Sequence, residues 1–270
     1  MSDRFFNSLV RDLSEHEHVE SILLAGSRVT DIPDKESDYD IYVYVKKELP
    51  ISFREIVLNK NFSYFELNNT IWETEDQGIL KESGTYVDIV YRDMNWLESH
   101  LTELLGKNIS STGYSTCFWS NLLYSDILYD PDKKATHLKE KYTIPFSNEL
   151  VKSILKRNYG VLRTIIPSYI NQIDKAIKRN DIISVQHRIT AFFESYFDII
   201  FAINKMSHPG EKKILNILKH KAKFLPQKME FEIVNLLKNQ FNSNYDVLSA
   251  LNSICDNLDA LLKELNLLSI

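Results

Sequence analysis

Two aspartates and a glycine–serine turn carry the clearest chemistry in this sequence. The run Leu24-Ala25-Gly26-Ser27-Arg28 ends a short apolar stretch, and ten residues after Ser27 comes Asp38-Tyr39-Asp40-Ile41-Tyr42-Val43. Asp38 and Asp40 stand two apart in a segment rich in Tyr, Ile and Val, so a strand there points both carboxylates to one face. Adjacent carboxylates repel each other unless a cation lies between them. Hard oxygen ligands of this kind suit Mg²⁺. Gly26 lets a phosphate approach the backbone. The N–H groups of a following helical turn favour an anion, and Ser27 adds a hydroxyl donor. The set reads as a phosphate cradle beside a metal-binding carboxylate pair, which suits nucleotidyl transfer assisted by two metal ions about 3.5–4 Å apart. The opposing reading is that Asp38 and Asp40 merely follow a turn at Pro33-Asp34-Lys35.

The elements that must hold these residues alternate in the first half of the chain. Apolar residues at Phe5, Phe6, Leu9, Val10 and Leu13 have helical spacing, predicting a helix from Phe5 to about His16. Strands are expected over Glu20–Ala25, Asp38–Val45 and Tyr86–Tyr91. A hairpin is expected from Phe62–Leu67 and Thr70–Glu75 around Asn68-Asn69. Helices are expected over Phe53–Leu58, Met94–Leu105 and Phe118–Leu123, and Ile127-Leu128-Tyr129 reads as an edge strand or turn. From Asn148 long helical periodicity takes over, at about 148–179, 182–205, 210–222, 228–240 and 244–268. Pro167 should kink or break the first of these. The Tyr and Phe residues of 192–201 recur at helical spacing and read as helix core.

The 270 residues include 32 Lys+Arg and 37 Asp+Glu, a net charge of −5, with 44% hydrophobic residues. That composition supports a folded core and argues against disorder across the whole chain. The sign of the charge disfavours a whole-surface nucleic-acid binder. Residues 1–148 carry −10, residues 149–241 carry +8 and residues 242–270 carry −3. The change of sign suggests two units. The expected division is 1–145 and 146–270. No apolar stretch reaches the ~18 residues that a membrane span needs, and the first residues lack a signal-peptide pattern. Cys117 and Cys255 are far apart, without metal-type spacing, and read as reduced thiols of a cytoplasmic protein.

The run LLAGS, ten residues, then DYDIYVYV resembles the active-site pattern of the DNA polymerase β-like nucleotidyltransferase superfamily. Within it, the length and the helical second half resemble the small-molecule branch, which includes aminoglycoside and lincosamide nucleotidyltransferases. The resemblance implies an α+β fold: a mixed sheet with flanking helices in 1–145, then a C-terminal helical bundle in 146–270 that takes acceptor and nucleotide. It implies a third carboxylate on a later strand, best matched by Asp88 in Tyr86-Val87-Asp88-Ile89-Val90-Tyr91. An acid inside an apolar strand is costly to bury without a partner, and a metal ion supplies one. By this resemblance Asp38, Asp40 and Asp88 are the catalytic, metal-binding residues, holding two Mg²⁺ ions. Gly26 and Ser27 would hold the phosphates, with Arg28 as a further contact. Glu73, Glu75, Glu82 and Asp93 are candidates for a separate base. Lys152, Lys156, Lys212 and Lys213 could meet the triphosphate, Lys212 from a segment, His208–Lys213, that reads as opening a helix. The implied reaction moves a nucleoside monophosphate from ATP or another triphosphate to a small-molecule hydroxyl lying between the domains, releasing pyrophosphate. No membrane partner is implied; the oligomer could be a monomer or a homodimer. Alternatives are nucleotidylation of a partner protein and a non-catalytic nucleotide-binding sensor.

Overall fold

The computed structural model describes residues 3–29, 37–242 and 244–268; the Pro33-Asp34-Lys35 turn and the side chains of Ser27 and Val29 lie outside the described residues. The chain divides into two compact units. The first comprises Met1–Thr102 and Phe118–Ile144; the second comprises Glu103–Cys117 and Pro145–Ile270. The expected division at 145 therefore misplaces residues 103–117, which belong with the second unit.

The first unit is built on α1 (Arg4–Ser14), β1 (Val19–Ala25), β2 (Tyr39–Val45), α2 (Ile51–Asn61), β3 (Phe62–Asn69), β4 (Thr74–Leu80), β5 (Tyr86–Arg92), α3 (Met94–Leu101), α4 (Cys117–Tyr124), β6 (Asp126–Tyr129) and α5 (Lys134–Tyr142). The strands form one six-stranded mixed sheet in the order β3-β4-β5-β2-β1-β6. Strands β2 and β5 run parallel, and the other neighbours are antiparallel. Alternation sends Ile41, Val43, Val87 and Ile89 to one face, where they pack with Phe6, Leu9 and Leu13 of α1 and Val57 and Leu58 of α2. Asp3 caps α1, its carboxylate accepting from the N–H groups of Phe5 (2.9 Å) and Phe6 (3.2 Å).

Two elements differ from the sequence reading. The hairpin partner of β3 runs Thr74–Leu80, not Thr70–Glu75. Its polar run Thr-Glu-Asp-Gln-Gly hides a strand, because Asp76 is fully buried among partners that the local sequence does not reveal. Helix α5 was not expected. Its start is organised by Asp130, whose carboxylate accepts from the N–H groups of Ala135 (3.2 Å) and Thr136 (2.8 Å) and from Ser21 Oγ (2.9 Å).

The second unit holds α6 (Asn148–Arg163), α7 (Tyr169–Lys178), α8 (Ile182–Ile203), α9 (Ile214–Lys221), α10 (Met229–Asn239) and α11 (Val247–Glu264). Pro167 falls in the break between α6 and α7, as its missing N–H requires. Helix α9 begins at Ile214, so His208–Lys213 is a turn ahead of the helix rather than its first turn. Helix α8 runs through the core, with Ile189, Phe192, Tyr196, Ile199 and Ile200 all fully buried. The segment 103–117 is pinned to it from far away in sequence. Ser115 donates from N (3.0 Å) and Oγ (2.6 Å) to Asp198, and Gly113 N donates to Asn158 Oδ1 (2.9 Å). Asn158 Nδ2 completes the net on Asp198 at 3.1 Å. Burial still pushes the Asp198 carboxyl up, to about 6.

Candidate active site

The face of the sheet opposite the α1–α2 core carries the acids. Asp40 on β2 pairs in register with Asp88 on β5, Ala25 on β1 pairs with Asp40, and Gln77 on β4 pairs with Asp88. In-register neighbours share a face, with Cβ atoms about 4.5–5.5 Å apart. The two aspartates, 48 positions apart in sequence, are thus brought side by side by the one parallel pairing, with Gln77 beside them. Both are half-buried.

Gly26 follows β1 directly and has φ +72°, the left-handed region that favours glycine. A Cβ there would stand 1.7 Å from Asp40 Oδ2. The carboxylate of Asp40 therefore lies against the bare Cα of Gly26, and no other residue leaves it that room. Gly26–Val29 forms a short 3-10 turn. Gly26 and Asp40 are one unit of structure: the glycine makes room for the Asp40 carboxylate, whereas the sequence reading gives it the task of letting a phosphate approach.

Arg28 is held elsewhere. Its Nε donates to the carbonyls of Ser37 (2.6 Å) and Asp38 (3.2 Å), and its guanidinium sits 3.8 Å over the Tyr39 ring. Tyr39 stacks in turn on Phe6 at 3.9 Å. Since Tyr39 points away from Asp40, Arg28 ties down the entrance to β2 from the core side. Asp38 is exposed and lies one residue before the strand. Among the described residues, no group of three or more His, Cys, Asp or Glu is arranged to hold a metal ion. The sheet brings together Asp40 and Asp88 rather than the full expected trio. Lys152 and Lys156 are exposed on α6, and Lys212 is exposed in the turn before α9, all within the second unit. Lys213 occupies that helix's N-cap at φ +57°.

The four candidate bases separate cleanly. Asp93 caps α3 through Asn95 N (2.8 Å). Glu82 is exposed in the β4–β5 turn at φ +67°. Glu73 forms a two-pronged pair with Arg92, whose Nε and Nη2 reach its oxygens at 2.6 and 2.5 Å. Arg92 is itself stacked over Tyr42 at 4.4 Å. Glu75 is different: burial, then the charges of Glu73 and Asp88, push its carboxyl up, against the pull of Arg92. Glu75 lies two residues from Gln77 on β4 and therefore on the Asp88 face. It is the fourth acid of this surface. The alternation Glu73, Glu75, Gln77 is the signal that would have placed it, had the strand been recognised.

The two carboxylates paired in register on this face, Asp40 and Asp88, offer oxygen ligands. A pair of carboxylates is the protein set that Mg²⁺ commonly takes when substrate phosphates and waters complete its shell. The Asp40–Asp88 pair fits that requirement, and the surrounding acids make a cation there electrostatically favourable.

No family model and no curated protein sequence matches the chain. Among the solved structures that align with it are two nucleotidyltransferase-related ones. One is a nucleotidyltransferase-like protein from Exiguobacterium sibiricum, at 10% identity and TM-score 0.43, with 96% of this chain and 75% of that chain covered. The other is spectinomycin adenyltransferase AAD(9) from Enterococcus faecialis, solved with ATP and spectinomycin, at 13% identity and TM-score 0.31, with 94% and 98% covered. No helix among the described residues is long and apolar enough to cross a membrane.

Proposed function

We propose that this chain is an Mg²⁺-dependent nucleotidyltransferase that moves a nucleoside monophosphate from a nucleoside triphosphate, ATP first, to a hydroxyl of a small molecule. The observation that carries this reading is the in-register Asp40–Asp88 pair with Gly26 packed under the Asp40 carboxylate. Asp40 and Asp88 would hold the metal, with Asp38 reaching it from the segment before β2. Bound Mg²⁺ would polarise the α-phosphate and neutralise charge as it develops. The backbone N–H groups of the turn after Gly26 would receive the outgoing phosphates, where an aligned turn favours an anion. Ser27 would add its hydroxyl there. Lys212 is the lysine proposed for the triphosphate, and Glu75 would take the proton of the attacking hydroxyl. A base raised by its surroundings is better matched to neutral pH. Arg28 has no part in phosphate binding in this scheme, because its guanidinium is committed to Tyr39 and to two backbone carbonyls.

The test is pyrophosphate release from each triphosphate with Mg²⁺ and a pooled set of aminoglycosides and lincosamides, followed by the mass of every acceptor. An acceptor heavier by one nucleoside monophosphate, absent with Asp40→Asn and Asp88→Asn, establishes the reaction. A mass gain on a co-purifying protein instead would move the acceptor class. Absence of both release and Mg²⁺-dependent triphosphate binding would overturn the proposal.

A further inference from the structure

The acid-bearing face of the sheet continues past Asp40 and Asp88. Alternation also places Gln77 and Ile79 of β4, Tyr86 of β5, and Tyr64 and Glu66 of β3 on it. Their neighbours Phe65, Leu80 and Val87 point the other way and pack in the α1–α2 core. Register sorts the outward residues into two rows. Glu66, Gln77, Asp88 and Asp40 stand across β3, β4, β5 and β2. Tyr64, Ile79 and Tyr86 stand across β3, β4 and β5 two residues further along, about 7 Å away.

The second row is an aromatic shelf. Tyr64 and Tyr86 are each 59% exposed, and Ile79 between them is half-buried. The Tyr64 hydroxyl donates to Glu66 Oε1 at 3.3 Å, which ties the shelf to the row of acids. A single exposed aromatic is ordinary on a protein surface, but two that flank an isoleucine in register across three strands make a continuous patch. Such rings offer a face for stacking while their hydroxyls stay in water.

Which substrate lies there follows from the proposed nucleotidyl transfer, on which this inference rests. In an in-line displacement the attacking and outgoing oxygens stand on opposite sides of the phosphorus. In that reading the outgoing pyrophosphate goes to the turn after Gly26, at the end of β1. In the order β3-β4-β5-β2-β1-β6, β1 lies on one side of Asp40, and β5, β4 and β3 lie on the other. The attacking hydroxyl then arrives over β5 and β4, past Asp88. Its oxygen bonds to the α-phosphorus, the bond to the α,β-bridging oxygen breaks, and its proton goes to Glu75, which is on this side too.

We propose that Tyr64, Ile79 and Tyr86 are the acceptor platform, holding the face of a hydroxylated ring compound, with Glu66 accepting from a hydroxyl or ammonium group at its rim. The shelf selects a flat, largely apolar ring face. Glu66 and Glu75 beside it reject an anionic acceptor by like charge.

The test uses the full chain with carbon-13 in its tyrosine rings, Mg²⁺, an ATP analogue with a methylene bridge between the α- and β-phosphates, and the same aminoglycoside and lincosamide pool. The analogue cannot release pyrophosphate, so both substrates stay bound. The pool, added after the analogue, should shift the Tyr64 and Tyr86 ring signals saturably and leave that of Tyr39, stacked on Phe6 on the core side, in place. In turnover, Tyr86→Ala should raise KM for the reacting acceptor about tenfold, and Tyr86→Phe should restore it. The loss should fall on that KM rather than on kcat or on KM for ATP. Glu66→Gln should raise the same KM about threefold. Absence of Mg²⁺-dependent binding of the analogue would overturn the nucleotidyltransferase reading and the platform with it. Binding of the analogue with Tyr64 and Tyr86 unmoved by the pool, or an unchanged acceptor KM in Tyr86→Ala, would overturn the platform alone. Shifts of both rings by the analogue alone would make the shelf a nucleobase platform and overturn the acceptor assignment likewise.

Discussion

Two consecutive acids on β4 meet opposite fates. Asp76 points into the core side of the sheet and is fully buried, yet it is surrounded by donors. Arg54 Nη1 (3.2 Å), Asn68 N (2.8 Å) and Tyr91 Oη (2.8 Å) all reach it, and Arg54 is itself only 1% exposed. Glu75 points to the other face, where its near neighbours are the carboxylates of Glu73 and Asp88. Burial pushes both acids up, but donors offset the effect at Asp76 while like charges add to it at Glu75. The first arrangement is what a fold does with an acid that it must keep. The second gathers like charges around Glu75, with Arg92, itself paired to Glu73, as the offsetting cation, and perturbed acids of this kind cluster at functional surfaces. One strand thus separates structure from chemistry by its two-residue period alone.

The comparison can be broken most severely on the core side. Arg54→Ala leaves Asp76 buried beside an empty space, and should cost about 3–5 kcal/mol in urea unfolding. A loss under 1 kcal/mol would show that the Asp76 cluster is no structural anchor. On the other face the expectation reverses. Asp88→Asn should lower pyrophosphate release about 10²–10³-fold, a loss typical of removing one group that stabilises transition-state charge, while stability stays level or rises as like-charge repulsion is relieved. A coincident fall in stability would assign Asp88 to the fold instead. Gly26→Ala joins the two effects. The added Cβ must displace the Asp40 carboxylate, and a non-glycine residue at left-handed φ costs about 1–2 kcal/mol. A loss of that size is expected in thermal unfolding, together with weakened Mg²⁺-dependent triphosphate binding.

The smallest effect sharpens the same contrast in the second unit, where Asp198 and His208 are both buried. Asp198 sits at about 6, above its ordinary value, so its contribution to stability is complete at low pH and is lost as pH rises through about 6. His208 sits at about 4, below its ordinary value of 6.5, so its contribution is complete above 6.5 and is lost as pH falls toward 4. Between pH 4 and 6 the two slopes oppose each other, each at most about 1.4 kcal/mol per pH unit. Asp198→Asn should make unfolding more sensitive to acid in that window. His208→Phe should make the protein gain stability on acidification. Identical pH profiles in all three proteins would show that neither group is coupled to unfolding.

How much of this was legible in the sequence depended on the range of the interaction. The β1–Gly26 and Asp40 segment was readable because its meaning is local: an apolar strand, a residue that tolerates φ +72°, and an i, i+2 alternation. Asp88 was readable as an acid in an apolar run. Helix α8 announced itself by its spacing of Phe and Tyr. What escaped was fixed from afar. Strand β4 looks like a loop until Arg54 and Tyr91 are placed around Asp76. Helix α5 is charged and weakly periodic, and its start depends on Asp130 and Ser21. Arg28 resembled a phosphate ligand because the Tyr39 ring beneath it is a matter of packing. Asp38 was read as a member of the strand, and the strand begins one residue later.

The excursion of residues 103–117 has a consequence for how the protein is made. The chain leaves the first unit after Thr102, contributes a strap to the second, returns at Phe118, and departs for good after Ile144. Emerging from the ribosome, the strap precedes its main anchor: Ser115 is followed by Asp198 only 83 residues later. The sheet can close while the strap is still waiting, so nascent chains pass through a period in which a finished first unit carries an undocked strap between its own two pieces. Genetic separation at 145 would make that transient condition permanent.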